Sequence, residues 1–290
     1  KYKSANRRGM SLNFPLMFDD HLKFYFAEDE LNKNLKYLTT LPSEMVTCHL
    51  KIKDDLILAG LPVFFATFNY LSDKSLSFEQ FLEFEGKRFS KDDKKEITFE
   101  LPFNIALSGE RIALNLLQRM SSVATFTSKF VDIVTPVKIL DTRKTTPGLR
   151  TFEKYAVTVG GGNNHRFSQL DCFMIKDNHK VFFGGVKGAV DYYKSLASFY
   201  MPLIMEVHSL DEIKEGHECG VEHFLLDNFS PSDIAKAVAI KTDAMTYEVS
   251  GGVTLENIAG YAIDGIDAIS SGAIIYNAPT VDLSMKISRK

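Results

Sequence analysis

At 290 residues, with 45% hydrophobic and 24% charged side chains, the chain is long enough to bury a substantial core and points to two domains or one large α/β domain. Its net charge of -3 and pI of about 6.2 exclude a broad positive field, so neither nucleic acid nor an anionic membrane surface is an expected partner, and an anionic ligand must meet a local basic cluster. The three cysteines, Cys48, Cys172 and Cys219, are odd in number and show no CxxC spacing, the usage of reduced thiols in a cytoplasmic protein.

The first hundred residues mix apolar segments, such as Leu56 to Phe68 and Glu96 to Phe99, with charged connectors, which reads as a small α/β layer. Leu56 to Phe68 is the longest apolar stretch, but Gly60 and Pro62 interrupt it and it is too short to span a bilayer. The basic run Lys87, Arg88, Lys91, Lys94 and Lys95 is interleaved with Asp92, Asp93 and Glu96, the mark of a solvated loop.

From Ser108 the pattern turns helical, with Ile112, Ala113, Leu116, Leu117, Met120, Val123 and Ala124 at three- and four-residue steps. Ser108 is the expected N-cap, Glu110 suits the positive end of the helix dipole, and Arg111 stands in the first turn, an odd place for a cation.

After residue 136 short β-branched or apolar runs alternate with helical segments, the rhythm of parallel strands joined by helices. Strands are expected at Val137 to Leu140, Cys172 to Ile175, Leu203 to Val207, His223 to Leu226, Tyr247 to Val249 and Ile266 to Ile269. Ser209 with Glu212 forms a capping-box pattern, and Ser230 with Pro231 places an N-cap before a proline at the first helical position. This fits a complete or incomplete β/α barrel, with a doubly wound open sheet as the alternative.

Charged and glycine residues cluster just past the C-terminal ends of these strands, the face where barrel enzymes place their chemistry. Arg143, Lys144, Arg166 and Lys176 suit carboxylates and phosphates, arginine through paired donors and lysine as a point charge. The glycines of Ser250-Gly251-Gly252 and Ser271-Gly272 let backbone N–H groups approach a phosphate. Glu206 and Asp227 are left to serve a metal or a developing cation, and Mg²⁺ suits such oxygen donors better than zinc. His217-Glu218-Cys219 with His223 imitates metal-ligand spacing, but it spans a helix end, a turn and a strand, so its side chains should diverge.

The strings Asp141-Thr142-Arg143-Lys144-Thr145, Glu153-Lys154-Tyr155 leading to Gly161-Gly162 and His165-Arg166, Lys176-Asp177-Asn178-His179, Leu225-Leu226-Asp227-Asn228 and Glu248 to Gly252 follow one another in order. In them the chain resembles the quinolinate phosphoribosyltransferases, also called carboxylating nicotinate-nucleotide pyrophosphorylases, from about Ser108 to its end. The resemblance implies the type II phosphoribosyltransferase fold, an N-terminal α/β sandwich domain (residues 1–117) and a C-terminal α/β barrel (residues 118–290) whose last residues pack back on the first domain. It implies a homodimer in which Arg111 reaches into the neighbouring subunit's site. Arg143, His165, Arg166 and Lys176 would hold the carboxylates of quinolinate. Lys144, Glu206, Asp227, Ser250, Gly251, Gly252, Ser271 and Gly272 would line phosphoribosyl pyrophosphate and its Mg²⁺, Glu206 and Asp227 holding the metal through water. Lys144, Lys176, Glu206 and Asp227 are the expected catalytic groups, and no organic cofactor is required. Ile204 stands where many members carry a further glutamate and Tyr276 where some carry histidine. The alternatives are transfer to another pyridine carboxylate and a non-catalytic anion-binding relative.

Overall fold

The computed structural model describes residues 18–31, 35–72 and 76–289, so residues 1–17 of the expected first domain lie outside the described residues. The chain divides into two units, one formed by the described residues up to Ser121 with those from Thr280 on, the other by Ser122–Pro279. Among the described residues no helix is long and apolar enough to cross a membrane.

The first unit is built on a three-stranded antiparallel sheet in which β1 (Met45–Ile52) lies between β4 (Glu96–Pro102) and the last strand, β11 (Leu283–Arg289). β1 alternates: Val46, Cys48, Leu50 and Ile52 are buried, while Thr47, His49 and Lys51 face the other way. The apolar run Leu56 to Phe68 becomes a two-residue strand, β2 (Leu56–Ile57), which pairs with β3 (Arg88–Phe89), and then a helix, α3 (Leu61–Leu71). Gly60 makes the corner at φ 105°, and the Glu85 carboxylate accepts from the N–H groups of Gly60 (2.8 Å) and Leu61 (2.9 Å). That satisfies donors a helix start otherwise leaves orphaned. Phe64, Phe65 and Phe68 of α3 pack on Phe99 of β4 with ring centroids 5.9, 5.2 and 6.3 Å apart. Each such buried ring contributes about 1.5–3 kcal/mol. Leu283 and Met285 of β11 complete this core, which is why the end of the chain belongs to the first unit. Two further helices, α1 (Asp19–Glu28) and α2 (Leu35–Thr40), precede the sheet in the chain.

The long helix α4 runs from Phe103 to Val134, so it starts five residues before Ser108. Ser108 is not its cap, and Arg111 lies well inside the helix and not in its first turn. The reason is tertiary: Phe103 N–H donates to the Glu44 carbonyl (2.9 Å), Asn104 N–H to the Pro42 carbonyl (3.1 Å), and Ile105 N–H to the Asn104 side chain (3.0 Å). The dipole argument about Arg111 therefore falls away. The division between the units lies at Ser121, inside this helix, and not after residue 117; an unbroken helix offers no linker to mark it.

The second unit carries all six expected strands, with ends shifted by a residue or two: β5 (Lys138–Leu140), β6 (Phe173–Ile175), β7 (Leu203–Val207), β8 (His223–Asp227), β9 (Thr246–Ser250) and β10 (Ala268–Ser270). They form one parallel sheet in the order β5-β10-β9-β8-β7-β6. Chain-order neighbours pair and the first strand joins the last, the cyclic order of a barrel and not the reversal of a doubly wound sheet. Among the described residues no ladder closes β5 onto β6; instead Asn163 bridges to Leu140, so the barrel is incomplete. The connecting helices are α5 (Arg150–Val159), α6 (Asp177–Phe182), α7 (Val186–Leu196), α8 (Leu210–Glu218), α9 (Pro231–Ala239) and the short α10 (Ala273–Tyr276). Ser230 caps α9 as expected, its Oγ accepting from Asp233 N–H at 3.2 Å. The Ser209 box is only half made: Ser209 Oγ accepts from Glu212 N–H (3.2 Å), but the Glu212 carboxylate accepts from His208 N–H (2.8 Å) and from the Lys180 ammonium (2.7 Å).

Candidate active site

A cavity of about 510 Å³ opens at the C-terminal ends of the six strands. Its lining repeats every second residue: Met174 and Lys176 from β6 and its end, Leu225 and Asp227 from β8, Glu248 and Ser250 from β9. Side chains two apart on a strand share a face, so these point into the barrel while Tyr247 and Val249 are buried on the other side. Ladder register sets Glu206, Leu225 and Glu248 abreast across β7, β8 and β9, with Asp227 beside Ser250 further along the strands.

Two loops bring in the remaining groups, and α5 holds both. Glu153, fully buried, accepts from Thr146 N–H (2.8 Å) and Thr146 Oγ1–H (2.7 Å), which pins the loop carrying Thr142, Arg143 and Lys144. Lys154, equally buried, donates to the Asp141 carboxylate and to the His165 carbonyl (3.1 Å). Asp141 also accepts from Asn164 Nδ2 (2.6 Å) and His165 N–H (2.9 Å), so one ion pair fixes the entry of His165 and Arg166. Burial pushes the Asp141 carboxyl up from its ordinary range, opposed by Lys154, Asn164 and the His165 N–H.

His165 is held in one tautomer. Its Nδ1 accepts from Arg166 N–H (2.7 Å), so the ring proton sits on Nε2, which faces Glu248 Oε2 at 3.1 Å. Arg166 donates to the Cys172 carbonyl (3.1 Å), and burial lowers its guanidinium from the usual value, with Arg143 nearby acting in the same sense. Arg143 Nε is buried with no protein acceptor. Two neighbouring guanidinium groups, one with an unanswered donor, make this wall of the cavity a receptor for carboxylates.

The opposite wall is acidic. Lys176 pairs with Glu206, and Asp227 is pushed up from the ordinary carboxylate range, first by burial and then by Glu206. An acid whose ionisation is opposed by a neighbouring carboxylate favours a cation beside it. Ligand atoms of Asp177, Glu206 and His208 lie within 4.8 Å of one another, and Asp227 is not in that group, although His208 Nδ1 is 3.8 Å from its carboxylate. His208 Nε2 is 2.8 Å from Asp177.

Of the residues expected from the sequence, Arg143, Lys144, His165, Arg166, Lys176, Glu206, Asp227 and Ser250 line the cavity together. Gly251 and Gly252 follow directly. Gly251 has φ 94° and a side chain there would sit 2.4 Å from Asn228 Oδ1, so only glycine passes. Gly272 lies against the Lys144 side chain, since a Cβ there would be 3.1 Å from Lys144 Cδ. Ser271 is different: its hydroxyl donates to the Val253 carbonyl (2.8 Å) and accepts from Ala273 N–H (3.2 Å), which occupies it in the turn, and Ser270 lines the cavity in its place. Arg111 belongs to the first unit, where it is exposed and lines a hollow of about 480 Å³ with Phe26, Tyr37, Leu107 and Ser108. Sequence reasoning did not single out Met174 or Ser270, and it gave no role to Glu248 or Leu225, which open two of the recognised strings. The signal was period two: stepping back two residues from the strand-end groups Lys176, Asp227 and Ser250 gives Met174, Leu225 and Glu248.

The chain is similar to known proteins along most of its length. It is 38% identical over 244 residues, 82% of this chain and 81% of the relative, to a probable nicotinate-nucleotide pyrophosphorylase [carboxylating] of Synechocystis sp.. It is 43% identical over 190 residues, 62% of this chain and 72% of the relative, to a protein of the same description from Archaeoglobus fulgidus. The crystal structure of NadC from Streptococcus pyogenes superposes with a TM-score of 0.86 at 33% identity, covering 97% of this chain and 100% of that one. The family model for the N-terminal domain of quinolinate phosphoribosyl transferase matches residues 35–121 and that for its C-terminal domain residues 123–286, and the chain belongs to this family.

Proposed function

We propose that this protein transfers the phosphoribosyl group of phosphoribosyl pyrophosphate to quinolinate with loss of carbon dioxide, giving nicotinate mononucleotide and pyrophosphate for NAD biosynthesis in the cytoplasm. The observation that carries this reading is a cavity with a two-arginine wall, including the unanswered Arg143 Nε donor, facing the Glu206 and Asp227 carboxylates. A pyridine dicarboxylate fits the first wall and a cationic ribosyl centre the second.

Breaking the bond from ribose C1 to pyrophosphate builds positive charge on the sugar and negative charge on the leaving group. Arg143 and Arg166 hold the quinolinate carboxylates and aim the ring nitrogen at C1, with His165 bracing Arg166 from behind through its Nδ1. Glu206 and Asp227 face the developing cation. Lys144, with the backbone of Gly251, Gly252 and Gly272, receives phosphate, and Lys176 is exchanged from Glu206 to substrate. Mg²⁺ is the expected metal: Glu206 and Asp227 would hold it through water, and it would supply positive charge to the departing pyrophosphate. The closeness of Glu206, which with burial pushes the Asp227 carboxyl up, supports such a cation. Once the nitrogen is alkylated, the pyridinium accepts the electron pair left as the adjacent carboxylate departs as carbon dioxide, and a proton then fills that position. The assembly we infer is a homodimer in which Arg111 completes the partner's cavity.

Incubating the protein with quinolinate, phosphoribosyl pyrophosphate and Mg²⁺ tests the proposal. Equal release of carbon dioxide and pyrophosphate is expected; pyrophosphate release with nicotinate in place of quinolinate, and none with quinolinate, would overturn it.

A further inference from the structure

Among the described residues the cavity contains two buried polar atoms with no protein partner, and they are of opposite kinds: Arg143 Nε is a donor, Glu248 Oε1 an acceptor. Glu248 is nearly enclosed, with 12% of its side chain exposed, and its other oxygen, Oε2, is engaged by His165 Nε2 at 3.1 Å. The carboxylate is thereby oriented, and Oε1 remains as an acceptor without a donor, a costly state for a buried oxygen unless a ligand answers it.

The two substrates named under the proposed function differ in what they offer. Quinolinate, as its dianion, carries carboxylate oxygens and a ring nitrogen, all acceptors, so it can answer Arg143 Nε but not Glu248 Oε1. Phosphoribosyl pyrophosphate brings the only donors, the hydroxyls on C2 and C3 of its ribose. Register supports the match: Glu248 stands abreast of Glu206 with Leu225 between them, and Asp227 lies further out toward the strand ends. A sugar whose C1 faces Glu206 and Asp227 is within one strand spacing or two of β9.

We infer that Glu248 is a ribose-recognition residue, its Oε1 accepting a hydrogen bond from one ribose hydroxyl of phosphoribosyl pyrophosphate while its Oε2 keeps the His165 proton on Nε2. The inference rests on the functional reading above and adds to it a specificity element: the acid selects ribose over a deoxyribose donor. It also couples the two substrates, because the residue that receives the sugar orients His165, whose Nδ1 accepts from the N–H of Arg166 in the arginine wall.

The test compares phosphoribosyl pyrophosphate with its 2-deoxy and 3-deoxy analogues, with quinolinate as acceptor, for the wild-type protein and Glu248→Gln. The glutamine carbonyl must accept from His165, so its amide places a donor where Oε1 was. The wild type is expected to lose about ten- to hundredfold in kcat/KM with one of the two analogues, the effect of a lost hydrogen bond to a charged group. Glu248→Gln should lose a similar factor with phosphoribosyl pyrophosphate itself and discriminate no further against that analogue. Glu248→Asp, which withdraws the carboxylate by one methylene, serves in the same comparison if the glutamine variant does not fold. Undiminished discrimination by the variants, or none by the wild type, overturns the inference. Absence of any turnover by the wild type defeats the functional reading, and the inference with it; turnover with unchanged discrimination defeats the inference alone.

Discussion

Lys154 lies outside the cavity, yet its loss is expected to be severe. Its side chain is 1% exposed and that of its partner Asp141 0%. Lys154→Met keeps the length and apolar stem but leaves a carboxylate buried, with only Asn164 Nδ2 and His165 N–H to answer it. Breaking a buried pair in this way costs about 3–5 kcal/mol. The two remaining donors place Lys154→Met at the lower end, about 3 kcal/mol, which lowers the thermal midpoint by roughly 6–12 °C. Burial already pushes the Asp141 carboxyl up, and removing the ammonium that opposes this raises it further. A carboxyl raised in the folded state favours folding below its unfolded-state value and loses that advantage as pH rises through the folded value. The deficit of Lys154→Met should therefore be largest at neutral pH and shrink in acid. Adding Asp141→Asn removes the stranded charge, so the double variant should be more stable than Lys154→Met alone. Thermal melts of the four proteins at pH 7 and pH 5 measure all of this. A single variant within about 1 kcal/mol of wild type, or a double variant destabilised by the full sum of the singles, would refute the claim that this pair supports the loop.

Asp227→Asn should abolish most turnover, by roughly 10²–10³-fold, and leave the thermal midpoint at pH 7 unchanged or higher. The folded-state carboxyl is raised by burial and by Glu206, so its ionised form costs stability once pH rises through that value; a lower midpoint for the amide would contradict the assignment. Arg111→Ala and Lys176→Ala should each be nearly inactive alone, while mixing them after reversible unfolding should restore about a quarter of wild-type activity through hybrid dimers with one intact site. No recovery in the mixture would count against a shared cavity.

The second unit was legible because its strands are covered on both sides, so each reads as a short apolar run, and because the barrel's chemistry sits where those runs end. Arg143, Lys176, Glu206 and Asp227 are charged residues at or just past apolar strands, a place where burial makes charge expensive unless it has a use. The start of α4 was not legible. Its first N–H groups are answered by the carbonyls of Glu44 and Pro42, some sixty residues earlier, and no local pattern announces such a cap. The place of the Ser271 hydroxyl was not legible for a similar reason: it is engaged by Val253, on the preceding loop. Glu248 opens one of the recognised strings, but it lies one layer below the strand ends, where alternation alone says only that a residue faces inward and assigns it no role.

Least legible of all was the role of α5. Glu153 and Lys154 are adjacent charged residues in a helix, a pattern that reads as solvent-facing, yet both are buried. Adjacent residues on a helix point about 100° apart, so the pair reaches different places: Glu153 holds Thr146 in the loop after β5, and Lys154 ties Asp141, at the end of β5, to the His165 carbonyl in the loop that follows α5. Those loops supply Arg143 and Arg166, whose charges repel. Bringing two guanidinium groups together before any carboxylate arrives needs rigid support from behind, and a helix that sets Glu153 on the backbone and hydroxyl donors of one loop and Lys154 on a carboxylate and a carbonyl acceptor provides it. The cost of burying Glu153 and Lys154 is therefore tied to the readiness of the arginine wall, and variants of α5 should affect quinolinate affinity without touching the substrate.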